Sequence, residues 1–435
     1  MKFNLSKTLQ QKSHALIPGG AHTYAKGDDQ YPELAPGFIA RGKGCHVWDV
    51  DGNEFIEYGM GLRSVTLGHA YEPVVEAAYK AMRQGINFTR PTPLESECAE
   101  KFLSLIDQMD MVKFCKNGSD ADDAAIRLAR AYTGRDLVAV CADHPFFSVS
   151  DWFIGMTMMN AGIPQAVRDL NVNFRYNDLE SLQSLFDQYP NQIACVIMEV
   201  ETATPPKDNF LHNVREVCHK NGALLIFDEI ITGFRWHLRG AQHVHNIVPD
   251  LCTFGKGMGN GFSIAALAGK REFMERGGLQ HDQERVFLLS YTYGAESHSL
   301  AAAIATMTIY EQEDVVGHLH RQGERLIQGV TDAIEEHNLQ NYVGLMGKPC
   351  NLVYYTLDQN DNRSQEFRTL FLQEVIKRGV IMPSLVVSYS HSDEDVARTM
   401  QAVGEALGVY RRALDEGVEK YLVGRPSKMV FRKYN

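Results

Sequence analysis

Residues 223–261 read ALLIFDEIITGFRWHLRGAQHVHNIVPDLCTFGKGMGNG, and this stretch decides the fold. Ala223 to Phe227 is an unbroken apolar run, as expected of a strand buried on both faces of a parallel sheet. It ends in two acids, Asp228 and Glu229. A second short apolar run, Leu251 to Phe254, leads into a glycine-rich loop that carries Lys256, 28 residues beyond Asp228. An acid at the carboxyl end of a parallel strand stands on the rim where open α/β sheets bind ligands.

Outward from that stretch the pattern alternates. The spacing predicts helices over 72–84, 94–107, 120–132, 178–188 and 208–220. Apolar runs predict strands over 137–142, 193–198, 223–227, 251–254 and 264–268. Strands alternating with helices mean βαβ units and a mostly parallel sheet. An alanine- and methionine-rich helix is expected at about 298–313. Beyond about 325 the order becomes helix, short strands (341–356), helix (364–378), a strand near 379–387 and helix 392–413, which reads as a smaller α+β domain. Before residue 65, Leu5 to Leu16 has helical spacing and stops at Pro18-Gly19-Gly20, and Gly44 to Tyr58 alternates around Asp51-Gly52-Asn53, a hairpin signal. DVDGN is not a calcium loop, because its glycine comes too early and Met60 stands where the bidentate glutamate belongs.

The 435 residues are 44% hydrophobic and 22% charged, ordinary for a globular chain with a sizeable core. A net charge of −11 argues against nucleic acid or an anionic membrane as the main partner. The eight cysteines are scattered, several inside apolar runs, as expected of reduced thiols in a cytoplasmic protein. The amino-terminal segment has no apolar signal core, and no run reaches the ~20 apolar residues of a membrane span.

Asp228 and Lys256 together suit pyridoxal phosphate (PLP). A lysine anchors that cofactor, and a carboxylate keeps its pyridine nitrogen protonated so that the ring accepts electrons. Either residue alone is more simply a strand-end cap or a solvated side chain. Lys116-Asn117-Gly118-Ser119-Asp120 opens an alanine-rich helix, where the backbone N–H groups of Gly118 and Ser119 and the serine hydroxyl suit a phosphate, or where Ser/Asp merely cap the helix. Asp143-His-Pro-Phe-Phe-Ser148 places aromatic residues just past a strand, for ring stacking or for core packing. Glu199 and Glu201 end another strand. Thr292 precedes the Ala/Met helix, as a phosphate contact or a helix-entry residue. His243-Val-His245 and His318-Leu-His320 have HxH spacing without completing ligands, so no metal is expected. Neither GxGxxG nor a P-loop is present.

IPGGAHTY, GCHVWDVDGNEFIEYGMG, TLGHAYEPV, LLIFDEIITGFR and PDLCTFGKGMGNG together resemble the class III PLP-dependent aminotransferases, in the branch of glutamate-1-semialdehyde aminomutase. The resemblance covers nearly the whole chain and implies the fold type I PLP-dependent transferase. This is an α/β fold with a large, mostly parallel-sheet domain (66–325) and a smaller α+β domain (326–435), against which an N-terminal segment (1–65) packs. It implies a homodimer with shared active sites. Lys256 matches the lysine that binds PLP, Asp228 the pyridinium partner and Ile230 the residue beneath the ring. Gly118 and Ser119 match the phosphate turn, and Thr292 the threonine that reaches the phosphate across a dimer interface. Phe146 stands at the family's Tyr-His-Gly tyrosine, or Phe147 if the alignment slides by one. Glu199 matches a strand-end glutamate.

The departures bear on substrate. Aminomutases begin like Pro-Gly-Gly-Val-Asn-Ser-Pro-Val-Arg, but Pro18 to Lys26 here reads PGGAHTYAK, and the arginine for the substrate carboxylate is absent at its place. HTYAKGDDQYP, KNGSDA, DWFIG and GRPSKMVFRKYN resemble the sugar-modifying subgroup of the branch. The expected partners are therefore small molecules, glutamate as amino donor and an acidic sugar as acceptor, with Lys26, Arg63 and Arg90 as candidate carboxylate partners. The alternative is the aminomutase reaction itself.

Overall fold

Almost wholly apolar runs form the centre of the larger sheet, and mixed runs form its edges. The computed structural model describes residues 1–144 and 147–434. They fall into two compact units, residues 1–71 with 317–435, and residues 72–316. Strands β1 (Ile39–Lys43), β2 (His46–Asp49) and β3 (Glu54–Glu57) lie in the first unit. The second holds β4 (Met111–Cys115), β5 (Leu137–Cys141), β6 (Asn171–Phe174), β7 (Ile193–Glu199), β8 (Leu224–Asp228), β9 (Leu251–Phe254) and β10 (Ala265–Gly269). Then β11 (Val343–Met346), β12 (Val353–Thr356) and β13 (Val380–Ile381) return to the first.

The sheet of the second unit runs β4-β10-β9-β8-β7-β5-β6. From β9 to β6 every neighbour is parallel, while β10 is antiparallel to both β9 and β4. Every residue of β5, β7, β8, β9 and β10 is buried. The edge strands β4 and β6 went unread in the sequence. MVKFC and NVNF interleave polar residues, because an edge strand need not be apolar on both faces.

One helix, Gly118–Thr133, lies on this sheet against β7, β9 and β10. Its buried side is Ala121, Ala124, Ala125, Leu128 and Ala129, small residues that admit a close approach. The Asn117 side chain caps its start by accepting the Asp120 N–H at 3.1 Å. Gly134, at φ +66°, ends it in the left-handed conformation open to glycine. Elsewhere in the unit, Ser297–Gln312 packs against the helices Glu72–Met82 and Pro93–Leu105.

In the first unit, β2 and β3 form the expected hairpin, pairing Trp48 with Glu54. Asp49 Oδ1 holds its turn by accepting the N–H groups of Asp51 (3.0 Å) and Asn53 (2.7 Å). β13 adds to β3 in parallel and spans only Val380–Ile381, not the longer strand expected, because Pro383 follows without an N–H to donate. Helix Asp393–Glu416 starts with a capping box between Ser392 and Asp395, and Asp395 also accepts from Cys45 Sγ (3.4 Å) and His46 Nε2 (2.9 Å). That joint fastens β2 and its preceding residue to the helix start. All eight cysteines are buried free thiols. No helix among the described residues is long and apolar enough to cross a membrane.

Gly323 sits inside helix Val315–Glu336, where a Cβ would run into the backbone of Pro349. In an exposed helix interior, glycine to alanine stabilises by roughly 0.5–1 kcal/mol. Here the clash with main chain reverses the sign. Gly323→Ala is expected to lower stability by about 1–3 kcal/mol, read by denaturant unfolding. A rise in stability would contradict this packing.

Candidate active site

The carboxyl ends of β7, β8 and β9 bring the candidate residues together. Asp228, last residue of β8, lies in register with Glu199 of β7 on one side and Thr253 of β9 on the other. Asp228 is 4% exposed, and its Oδ1 accepts the N–H of Ile230 at 2.8 Å. Burial pushes its carboxyl up to about 6, against the opposing pull of the Ile230 N–H and the Lys256 ammonium. Lys256 opens the short turn Lys256–Gly259 just past β9. Its φ of +40° is left-handed, a conformation that costs a non-glycine residue about 1–2 kcal/mol. Backbone strain of this kind concentrates at functional sites.

The two acids that looked alike in sequence separate here. Glu229 turns away from Asp228, and its carboxylate accepts the N–H groups of Ala241 (2.8 Å) and Gln242 (2.6 Å) and the Thr232 hydroxyl. It is a structural cap for the turn Ala241–Val244. Burial raises it to about 7, with the three donors opposing.

Ile230 fills a slot between two glycines. An added Cβ would meet its side chain at 3.0 Å from Gly118 and at 3.1 Å from Gly255. Gly118 is the first residue of the helix on the sheet, so the phosphate-turn candidate, Ile230 and the residue before Lys256 are neighbours. The first-turn N–H groups of Gly118 and Ser119 take no acceptor among the described residues. Ser119 Oγ accepts the Val149 N–H at 3.0 Å, which leaves its own proton to donate. The donor set thus fits PLP: N–H groups and a hydroxyl for the phosphate, a flat slot floored by Ile230, a carboxylate for the ring nitrogen, and a lysine.

Residues that sequence reasoning passed over complete the surroundings. Asp122, 0% exposed, accepts the Thr253 hydroxyl at 2.8 Å. His144 Nδ1 accepts the Glu199 N–H at 3.0 Å, so Nε2 carries the ring proton, and no partner for it exists among the described residues. Burial holds His144 neutral, down to about 4. Asp123 ties the loop after β5 to the helix by accepting from Ser148 Oγ (3.1 Å), Ser150 Oγ and Trp152 Nε1 (2.6 Å). A charged residue on the small-residue face of an amphipathic helix was the available signal for Asp122.

Phe146 lies outside the described residues, while Phe147 is buried 5.9 Å from His144, ring to ring. Thr292 is exposed in the second unit, and its carbonyl accepts Asn87 Nδ2 at 2.8 Å. Arg90 is exposed in the same unit. Lys26 and Arg63 belong to the first unit. There Lys26 is exposed, and Arg63 Nε donates to Asn351 Oδ1 at 2.8 Å. Arg63 lies in a turn where Met60, Gly61, Leu62 and Arg63 all have positive φ.

Fold and donor set define a PLP-dependent enzyme of the aminotransferase type. Comparison with known proteins agrees: residues 26–407 match the family Aminotransferase class-III, and the chain belongs to it. It is 31% identical over 434 residues to a glutamate-1-semialdehyde 2,1-aminomutase of Archaeoglobus fulgidus, spanning 94% of this chain and 100% of that protein. A glutamate-1-semialdehyde 2,1-aminomutase of Bacillus mycoides is 30% identical over 428 residues, 93% of this chain and 98% of its own. Among solved structures, the FumI protein of Sphingopyxis sp. MTA144, a PLP internal aldimine form, superposes with a TM-score of 0.86 at 27% identity, covering 94% of this chain and 97% of that one. An omega-transaminase from Sphaerobacter thermophilus gives 0.84 at 25% identity, covering 93% and 98%.

A carboxyl raised by burial binds its proton more tightly folded than unfolded. Its contribution to stability is full below the unfolded value near 4 and lost as pH climbs past the folded value. For Asp228 that window runs from about 4 to about 6. Asp228→Asn apoprotein should therefore gain Tm relative to the unaltered apoprotein as pH rises through this window. A difference in Tm that is constant with pH would contradict the burial of that charge.

Proposed function

We propose that the protein is a transaminase that takes its amino group from glutamate and delivers it to the aldehyde carbon of an oxidised acidic sugar. The specific reaction is conversion of 8-oxo-Kdo to 8-amino-3,8-dideoxy-octulosonate, an amino form of the lipopolysaccharide sugar Kdo. The observation that carries the transaminase part is the Asp228–Lys256 pair beside the Gly118/Ser119 helix start. Bound PLP supplies the electron sink for charge released at the donor's α-carbon. The Asp228 carboxylate holds the proton on the ring nitrogen. Gly118 and Ser119 hold the phosphate, with Thr292 of a second copy as a further contact. Ile230 and an aromatic residue, Phe146 or Phe147, bracket the ring. Lys256 Nζ anchors the cofactor, then moves the proton off the donor's α-carbon and returns one on the opposite half-reaction. Glu199 lines the carboxyl-end rim beside Asp228. In this reading residues 72–316 are the cofactor-binding domain.

The sugar part rests on segment 18–32, which departs from the aminomutase pattern. Within the first unit a cavity of about 570 Å³ is lined by His14, His22, Lys26, Glu57 and His69 among others, a volume suited to a small ligand. Lys26 on its wall is a candidate for the acceptor's carboxylate, while Arg63 already serves Asn351. A homodimer with shared sites is supported by the exposed apolar residues Ile86, Phe88, Phe287, Tyr291 and Tyr293 of the second unit. Ile86, Phe88, Tyr291 and Tyr293 adjoin Asn87 and Thr292 in sequence, and Ser297 Oγ donating to the Gly85 carbonyl (2.6 Å) ties the same two segments. The chemistry belongs to the cytoplasm, where glutamate and sugar precursors are made.

A second reading, glutamate-1-semialdehyde 2,1-aminomutase, is favoured by the names of the 30–31% identical relatives. The donor separates the two. PLP-loaded protein mixed with L-glutamate and no acceptor is expected to form one equivalent of 2-oxoglutarate per site, and 8-oxo-Kdo added afterwards is expected to yield one equivalent of the 8-amino sugar. Lys256→Ala should slow the first step by at least about 10²–10⁴-fold. Absence of 2-oxoglutarate, with turnover of glutamate-1-semialdehyde instead, would replace the first reading with the second.

A further inference from the structure

We propose that Asp122 is a positioning residue held as the neutral acid: it keeps the buried Asp122–Asp228 pair at one negative charge and leaves that charge on Asp228. The second half of the statement rests on Asp228 being the partner of the ring nitrogen.

The two carboxyls are served unequally. Asp228 has an N–H donor in Ile230 at 2.8 Å, and Lys256 as a nearby cation. Asp122 has only the Thr253 hydroxyl on Oδ1, at 2.8 Å, and its Oδ2 is buried with no partner among the described residues. Thr253 is the register partner of Asp228 across β8 and β9, so the hydroxyl that fixes Asp122 projects from the strand position beside Asp228. Asp122 lies on the sheet-facing side of its helix with Ala125 and Ala129, fully shielded from water. An ionised oxygen at Oδ2 would lose its hydration and gain nothing in return. Two adjacent buried carboxyls cannot both ionise cheaply, and the one with an N–H donor and a cation takes the charge.

The surrounding groups point the same way. Acids act on Asp122 from its own helix (Asp123) and from β8 (Asp228). Cys115 of β4 is a neutral thiol, and Lys256 is the nearby cation that favours ionisation. Burial, then Asp228, pushes Asp122 well above the usual carboxylate range. With Asp122 neutral, Asp228 is a monoanion aimed at a single proton, the arrangement a pyridinium requires. With Asp122 ionised as well, the pair would hold two negative charges beside the single positive charge of Lys256.

Infrared difference spectroscopy of the apoprotein at neutral pH tests this without turnover. Unaltered protein minus Asp122→Asn is expected to show the C=O stretch of a protonated carboxylic acid, lost in the variant. A difference made only of ionised-carboxylate bands would overturn the proposal. PLP affinity gives the second reading. Asp122→Asn, which keeps a neutral oxygen for Thr253, should retain the affinity. Asp122→Ala, which strips Thr253 of its acceptor, should weaken it. If Asp122 were ionised, Asn would remove a buried charge and shift the pH profile of the bound-cofactor absorbance by about one pKa unit or more, a tenfold effect. Failure of the Asp228 reading is separable, because Asp228→Asn would then leave PLP affinity unchanged while the infrared result for Asp122 still stands.

Discussion

The site depends on keeping one carboxylate ionised at the end of a strand that is buried throughout. Asp228 closes β8 with almost no access to water, and a lone ion there would neutralise itself. An N–H two residues on, an ammonium past the neighbouring strand and a proton kept on Asp122 are the means by which it stays charged. Each requires an element to end where it does. β8 must stop at Asp228 for Ile230 to turn back, β9 must give way to the strained turn at Lys256, and the helix must lie close enough on its alanine face to bring Asp122 beneath Thr253.

Close approach explains the glycines as well. Gly118 and Gly255 both stand where a Cβ would press on Ile230, so the helix start and the lysine loop share one side-chain floor. The candidate phosphate N–H groups of Gly118 and Ser119, Ile230 and the residue before Lys256 are thus neighbours, although they come from three separate parts of the chain. The family to which the chain belongs defines the cofactor. The sugar acceptor is argued from the segment in which this chain departs from its aminomutase relatives.

Much of this was legible in the sequence. The central strands declared themselves as unbroken apolar runs, and 223–227 and 251–254 came out within a residue of β8 and β9. Asp228, Lys256 and Gly118 could be picked out because strand ends and glycine turns leave a fixed mark, whereas Ile230 came only from the family resemblance. MVKFC and NVNF could not, since an edge strand carries no such mark. Spacing alone could not tell Asp228 from Glu229, which the family resemblance separated; the physical difference lies in a turn at Ala241 that only tertiary structure brings near. Asp122 was hidden for the same reason: its partner Thr253 is more than a hundred residues away, and helical spacing alone reads a lone acid as solvated.

Trapping the cofactor on the chain tests the central claim most directly. PLP-loaded protein is reduced with borohydride, digested, and the modified peptide sequenced by mass spectrometry. The account predicts a single phosphopyridoxyl group on Lys256, within the peptide that contains TFGKGMGNG. Modification of another lysine, or none at Lys256, would contradict the placement of the site at the ends of β8 and β9.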